Sequence, residues 1–303
     1  MKNTNWTKWK NQSLSDKVFD IVNYTFIFIT FLLCLYPLYY VVIISFSSEV
    51  VGTAFWPQGF TTEGYKMILQ NKDVWTGYFN TFLNTILDVV CSLSVTLPCA
   101  YALSRKDFVG RQVFLTVILI TMYIGGGLVP GYLNMNDLGL LDTRWAIILG
   151  SLCTSSHLII ARTFFASSIP NELFDAAKID GCGNGKYFLK VVLPLSKPII
   201  AVIGLYNAVS RWNSYFSEMI YLRDKTLSPL TLVLRRLLWS VKAMQNMIDE
   251  GLLENVGDAL ADVRIATIMQ YCLIVVSTLP MMVLYPFIQK YFAKGVMIGS
   301  VKG

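Results

Sequence analysis

The chain has 303 residues, of which 54% are hydrophobic and only 15% are charged, and its mean hydropathy is +0.53. Soluble domains contain about 45–50% apolar and about 25% charged residues, so this composition argues against a water-soluble enzyme and against a disordered scaffold. The net charge of +6 is small for so apolar a chain and does not indicate a nucleic-acid-binding surface. The sequence therefore predicts a protein of the lipid bilayer that binds no nucleic acid.

The sequence offers no recognisable set of metal ligands. Its six cysteines have no metal-type spacing and are interpreted as small buried hydrophobic residues: Cys34, Cys91, Cys99, Cys153, Cys182 and Cys272. The one histidine, His157, lies in an apolar run, where a packing role is favoured over a ligand or a proton relay. We therefore expect no metal, no cofactor and no catalytic set in this chain.

Long uncharged runs predict membrane-spanning helices, because a bilayer core about 30 Å thick requires roughly 20 helical residues. Six runs with few charges occur, at residues 21–46, 80–103, 112–133, 145–161, 198–217 and 265–289. The third ends in Gly125-Gly126-Gly127, which loosens its far end. The sequence predicts an all-α membrane protein with six transmembrane helices, in which an N-terminal segment 1–20 precedes a six-span domain 21–289 and a tail 290–303.

The distribution of Lys and Arg predicts the orientation of the six spans. The two terminal segments and the connections on their side carry roughly twice the density of Lys and Arg found in the alternate connections. Because cytoplasmic loops are enriched in these residues, both termini are predicted to be cytoplasmic.

The connection between the fourth and fifth runs, residues 168–197, has the pattern of two short amphipathic helices. Pro170 suits a first helical turn, and Glu172 lies near the positive end of that helix. One face of the helix carries Leu173, Ala176, Ala177 and Asp180. Gly181 then breaks the first helix and Pro194 stops the second. The pattern fits a docking element for a soluble partner or a merely solvated loop parallel to the membrane.

Several sequence motifs resemble one family of transport proteins. The run Asp175-Ala176-Ala177, followed by Asp180-Gly181 and later by Leu193-Pro194, resembles the "EAA" signature of the membrane subunits of bacterial ABC importers. Asp175 stands where that signature has glutamate, so the acidic group is retained. The runs YALSRKDFVGR, RWNSYF and YPFIQKYFAKGVMIGSVKG extend the likeness. Together they resemble the permeases of maltose-type carbohydrate importers, closest to the branch that handles complex oligosaccharides.

The resemblance implies a non-catalytic permease of the bacterial cytoplasmic membrane. A second, homologous permease would complete the pathway, two partner subunits would bind ATP and Mg, and an extracellular or periplasmic binding protein would deliver the carbohydrate. The loop 168–197 would be a cytoplasmic coupling helix that contacts the ATPase through Glu172, Asp175, Ala176, Ala177, Asp180, Gly181, Leu193 and Pro194. The chain has no GxxxxGK[ST] run for binding ATP itself.

The long external connection, residues 219–264, mixes both signs of charge with leucines and Trp239, which predicts helical segments. By the resemblance, this loop would contact the binding protein, with Arg235, Arg236 and Trp239 as candidate residues. An ordinary solvated helix is the alternative.

Two charged residues fall inside the predicted spans, where a central charge costs about 2.5–3.5 kcal/mol on insertion scales. Asp88 and Arg211 are therefore expected to face protein or a water-filled cavity, and they could pair with each other. Polar and aromatic residues near Arg211 are candidates to line a sugar pathway together with both charges: Asn207, Trp212, Asn213 and Tyr215. A structural polar seam between helices is the alternative.

The sequence is also compatible with three other functions. An importer permease for peptides or another small solute would share the coupling loop. A stand-alone secondary transporter should show inverted repeats or ionisable relays beyond Asp88 and Arg211, and an intramembrane enzyme should show a paired-acid or zinc motif. The tail 290–303 either frays or, by the resemblance, reaches between the ATPase subunits.

Overall fold

The computed structural model describes residues 13–50, 55–252 and 256–300. Within those ranges the backbone is helical, without a β-strand, and a single antiparallel bridge joins Ser47 to Phe60. The prediction of an all-α protein is confirmed for this part of the chain. Residues 1–12 of the predicted N-terminal segment and 301–303 of the predicted tail lie outside the described residues.

Fourteen α-helices follow one another in the described ranges. They are α1 (Leu14–Ser45), α2 (Glu63–Gln70), α3 (Lys72–Ser104), α4 (Arg111–Tyr123), α5 (Leu128–Asp137), α6 (Arg144–Leu149), α7 (Ser155–Ser168), α8 (Asn171–Ile179), α9 (Asn184–Tyr187), α10 (Leu193–Leu195), α11 (Lys197–Asn213), α12 (Phe216–Tyr221), α13 (Leu230–Asp249) and α14 (Val256–Ser300). A π-helical turn, Phe188–Val192, joins α9 to α10. The chain divides into two compact units, one within residues 1–68 and 240–275 and the other within 69–239 and 276–303.

The two longest helices of the first half of the chain, α1 and α3, contain the first two predicted spans. Each begins at a side-chain cap: Ser13 Oγ accepts a hydrogen bond from the Asp16 N–H at 3.2 Å, and Asn71 Oδ1 accepts one from the Asp73 N–H at 2.9 Å. Such caps satisfy N–H groups that a helix leaves free at its start. With 32 and 33 residues, both helices exceed the roughly 20 residues that a bilayer requires.

Between three and five candidate spans are present in the described part of the chain. Three helical segments have the length and composition to cross a membrane, namely α1, α3 and the part Val256–Val283 of α14. Two more result if each of two bent helix pairs is one span. These are α4 with α5, bent by 116°, and residues 184–195 with α11, bent by 81°.

The third and fourth predicted spans are interrupted. The third bends between α4 and α5, where Gly127 has a φ of +82°, a backbone conformation that favours glycine. The fourth run, 145–161, is not one helix, because α6 ends at Leu149 and α7 begins at Ser155. An uncharged run indicates an apolar environment, but it does not exclude a break whose polar groups find partners inside the protein.

Helix α3 is the central element of the second unit and packs most extensively against α11 and α7. Its buried face is polar along much of its length. A buried polar residue recurs at every fourth position, namely Asn80, Asn84, Asp88, Ser92 and Thr96. Since residues four apart lie on one helix face, these side chains form a stripe directed into the protein. Asp88 and Ser92 of this stripe contact Ser151, Asn207 and Arg211.

Candidate functional site

Residues 168–197 form a bent helical loop, as the sequence predicted. The prediction that Pro194 stops the second helix is wrong: Pro194 lies inside α10, which continues to Leu195, because proline is tolerated in the first turn of a helix. Helix α8 begins directly after Pro170, and Gly181 follows its end with a φ of +71°. The Cys182 N–H donates to the Ala177 carbonyl at 2.8 Å, which satisfies one of the carbonyls at the end of α8. A side chain at Gly181 would be strained in this conformation, so the glycine sets the bend.

The inner face of this loop packs on a hydrophobic core. Phe174 and Ala177 of α8 contact the core, and Tyr187 of α9 is buried in it. The guanidinium carbon of Arg105 lies 3.4 Å from the centre of the Phe174 ring, a cation–π arrangement. Helices α3, α7 and α11 supply most of the rest of this core, including Leu97, Ala100, Leu103, Leu158, Phe165 and Ile203. The loop is thus fixed to three of the helices of its unit.

The outer face of the loop carries most of the predicted coupling residues. The exposed ones are Glu172, Asp175, Ala176, Asp180, Gly181 and Pro194, whereas Ala177 and Leu193 are half-buried. Sequence reasoning missed Ile179, which is 87% exposed at the end of α8. The sequence does contain an indication of this exposure. Ile179 is a large aliphatic residue between two charged residues, Lys178 and Asp180, and does not belong to the predicted apolar face of the helix. Three exposed carboxylates outnumber the one exposed lysine of α8, Lys178, and together with Ile179 they suit a partner surface that is mainly basic and partly apolar.

The two charges inside the predicted spans form a buried ion network. Arg211 Nη2 lies 2.9 Å from Asp88 Oδ1, and Arg211 Nη1 lies 3.0 Å from Glu218 Oε1. All three side chains are at most 6% exposed. The expectation that Asp88 and Arg211 face protein is met, and the pairing between them is a feature of the structure.

The network also holds the break between α6 and α7. Arg211 Nη2 donates to the Ile147 carbonyl at 2.8 Å and to Ser151 Oγ. The Ser151 hydroxyl is in turn 2.7 Å from Asp88 Oδ1, to which it donates. The break therefore brings a carbonyl and a hydroxyl to the guanidinium, which a continuous helix would not offer at these positions.

Sequence reasoning missed Glu218 because it lies one residue beyond the predicted fifth span. It follows Arg211 by seven residues and accepts a second hydrogen bond, from the Ser214 hydroxyl at 2.7 Å. With all three groups ionised, the two carboxylates outnumber the one guanidinium, so the network has a formal charge of −1. Glu218 could have been predicted from its position, because an acidic residue two helical turns after an intramembrane arginine can reach that arginine.

The other pathway candidates have separate positions. Asn207 donates to Ser92 Oγ at 2.9 Å and Trp212 Nε1 donates to the Ser277 carbonyl at 3.1 Å, and both side chains are buried. Asn213 is exposed, and Tyr215 lies beneath the Arg235 guanidinium at 4.6 Å. A cavity of about 350 Å³ includes Tyr206, Trp212, Asn213, Thr231, Ser277 and Tyr285 in its lining. Aromatic rings and uncharged polar groups are a combination that binds sugars.

The binding-protein contact candidates lie on α13, which confirms that the connection 219–264 contains helical segments. Arg235 makes cation–π contacts with both Tyr215 and Trp239, and its guanidinium carbon lies 5.6 Å from the Trp239 ring centre. Arg235 and Arg236 are half-buried, whereas Trp239 is 47% exposed. Of the three candidates, Trp239 presents the largest exposed fraction to a partner.

In the described part of the chain, no cluster of His, Cys, Asp or Glu could hold a metal ion. His157 stacks on Tyr206 with ring centres 5.6 Å apart, which fits a packing role.

Comparison with known proteins agrees with this architecture. Residues 74–230 match the family of binding-protein-dependent transport system inner membrane components. The chain is 36% identical over 294 residues to the polygalacturonan/rhamnogalacturonan transport system permease protein YtcP of Bacillus subtilis, covering 96% of this chain and 100% of that protein. It is 34% identical to Protein LplC of the same organism, covering 95% and 96%.

A solved structure is also similar over nearly the whole chain. It is a chain of a bacterial ABC transporter involved in the import of the acidic polysaccharide alginate. The TM-score is 0.81 at 36% sequence identity, and the match covers 93% of this chain and 99% of that one. On sequence and fold together, the chain belongs to the binding-protein-dependent transport system inner membrane components, the permeases of ABC importers.

Proposed function

We propose that this chain is the permease subunit of an ATP-driven importer and forms half of the pathway for an oligosaccharide. The observation that carries the proposal is the match of 96% of the chain to the permease YtcP, whose name specifies polygalacturonan and rhamnogalacturonan transport. A permease for arabinooligosaccharides from Halalkalibacterium halodurans is also similar, at 28% identity. The alginate transporter supports the same class of substrate.

The cavity between α11 and the second-unit part of α14 is the proposed sugar-facing surface. Trp212 and Tyr206 offer aromatic faces, while Asn213 and Thr231 offer hydrogen-bonding groups. No charged side chain lines this cavity among the described residues. We expect it to contact hydroxyl groups and ring faces of the sugar, with the buried ion network acting as the support behind it.

The outer face of α8 is the proposed contact with the ATPase. Its acids and Ile179 are exposed while its inner face is fixed to α3, α7 and α11, so a force applied to α8 would move these helices together. The chain would function with a second permease, two ATP-binding subunits that bind ATP and Mg, and an external binding protein that carries the sugar. ATP hydrolysis would take place in the partner subunits.

Six spans with both termini in the cytoplasm remain the proposed topology in the bacterial cytoplasmic membrane. The distribution of Lys and Arg supports this orientation, and it puts α8 on the same side as an ATPase. In that arrangement α7, together with α6, would make the fourth span as a broken helix. The domain limits 21–289 and the tail 290–303 belong to the same proposal; α14 is helical as far as Ser300.

The decisive experiment is a ligand panel on the cognate binding protein, followed by uptake in proteoliposomes that contain the complete importer. The panel should include pectin-derived, alginate-derived and neutral oligosaccharides, with di- and tripeptides as competitors. We expect ATP-dependent uptake of one oligosaccharide class. Uptake of peptides alone would reassign the chain to another importer class, and uptake without an ATPase would indicate a secondary transporter.

A further inference from the structure

A small cavity lies at the base of the helical loop 168–197 and includes none of the ion-network residues. It has a volume of about 90 Å³ and lies beside the start of α8, where Pro170 and Asn171 line it. Three cationic side chains from the end of α3 and the start of α4 also line it, together with two phenols: Arg105, Lys106, Arg111, Tyr101 and Tyr187.

Three buried polar atoms of this lining have no hydrogen-bond partner in the described part of the chain. They are the hydroxyl oxygens of Tyr101 and Tyr187 and Arg111 Nε, and Tyr187 is only 1% exposed. A buried donor without a partner costs about 1–3 kcal/mol, so an acceptor within the cavity would be favourable. Burial raises the pKa of the Tyr187 phenol, which therefore keeps the proton that it can donate.

The positive charge around the cavity is only partly neutralised. Arg105 forms a bidentate ion pair with Asp107, with both N–O distances 2.9 Å, and holds the pKa of that carboxyl below its usual value. In the described residues, Lys106 and Arg111 form no ion pair within 4.0 Å. An anion beside these cationic side chains would be stabilised by their charge.

We propose that this cavity binds a phosphate group. Its negative charge and acceptor oxygens match the Arg111 guanidinium, the Tyr187 hydroxyl and the positive end of α8. The volume suits a single small anionic group, since sites for whole small molecules measure about 300–1,000 Å³. The group can belong to an anionic phospholipid or to free inorganic phosphate. Either would connect the start of α8 to the segment between α3 and α4.

The test measures thermal unfolding of the full-length chain in phosphatidylcholine nanodiscs while inorganic phosphate replaces chloride at constant ionic strength. We expect a saturable rise in the unfolding temperature of the wild type. Arg111→Gln and Tyr187→Phe should each weaken the apparent phosphate affinity about ten-fold, because each removes one donor to a charged group. Tyr187→Phe keeps the buried ring, so it still tests the loss of phosphate affinity if Arg111→Gln does not fold. Arg223→Gln, an exposed arginine outside this cavity, is the matched charge control and should retain wild-type affinity.

A second arm separates the two sources. If the cavity binds a lipid headgroup, nanodiscs of phosphatidylcholine with phosphatidylglycerol should raise the unfolding temperature of the wild type more than that of Tyr187→Phe. Inorganic phosphate added to these nanodiscs should then have no further effect. A free-phosphate site should respond to inorganic phosphate equally in both lipids. The proposal is overturned if neither phosphate nor phosphatidylglycerol stabilises the wild type, or if both variants respond as the wild type does. Failure of Arg111→Gln to assemble with the ATPase, without any phosphate effect, would instead assign the cavity to an acidic side chain of that partner.

Discussion

Replacing Arg211 by methionine should destabilise the protein more than any other single substitution in the ion network. Methionine preserves much of the side-chain volume but leaves Asp88 and Glu218 buried without their cationic partner. Removing one partner of a buried ion pair costs about 3–5 kcal/mol, and two carboxylates share this one, so we expect the upper end of that range. The free energy of unfolding in mixed micelles is the quantity to measure.

A charge-neutral background provides the control for this prediction. Adding Asp88→Asn and Glu218→Gln to Arg211→Met removes both unpaired charges, so this triple variant should regain most of the lost free energy of unfolding. The Arg223→Met change, made at an exposed position, should cost no more than about 0.5 kcal/mol. The reasoning fails if Arg211→Met costs less than about 1 kcal/mol, or if the triple variant is no more stable than Arg211→Met.

Three further predictions concern the proposed function. Asp175→Lys and Gly181→Pro should leave the chain in the membrane but abolish substrate-stimulated ATPase activity. The first reverses an exposed charge, and the second introduces a proline that cannot adopt the φ of +71°. Normal stimulation of the ATPase in both variants would show that the loop has no role in coupling. Lys225→Cys should react with an impermeant thiol reagent on wall-stripped cells and Asn184→Cys should not; the opposite pattern would reverse the topology. Truncation after Ala293 should weaken assembly with the ATPase, as measured by copurification, whereas undiminished transport at equal abundance would show the tail to be dispensable.

The first helix of the loop and the bend after it could be predicted because their determinants are local. Pro170 and Gly181 act through backbone geometry within a few residues, so their effect is visible in the sequence. Which alanine faces inward was not visible, since Ala176 and Ala177 are chemically identical. Only the packing of Phe174 and Ala177 on the core distinguishes the two faces.

The ion network could be predicted only in part. The cost of an intramembrane charge required partners for Asp88 and Arg211, but it did not identify them. Glu218 and Ser151 reach Arg211 because α12 and the α6–α7 break meet at it, and such contacts depend on tertiary structure. The same contacts explain the unforeseen break within residues 145–161, because hydropathy measures the average polarity of a run and does not detect a turn stabilised from outside it.

Because of its polar stripe, α3 could take several positions along its own axis that would each place polar side chains opposite the polar groups of its neighbours. The members of the stripe recur every four residues, so a slide of α3 by about 6 Å would again bring a polar side chain opposite each former neighbour. For the neutral members such a slip exchanges one hydrogen-bonding group for another. For Asp88 it does not, because the carboxylate would leave Arg211 and a neutral amide or hydroxyl would take its place. The single charge in a repeating neutral series thus acts like the buried asparagine of a coiled coil, and it selects one axial position for the helix as the spans assemble.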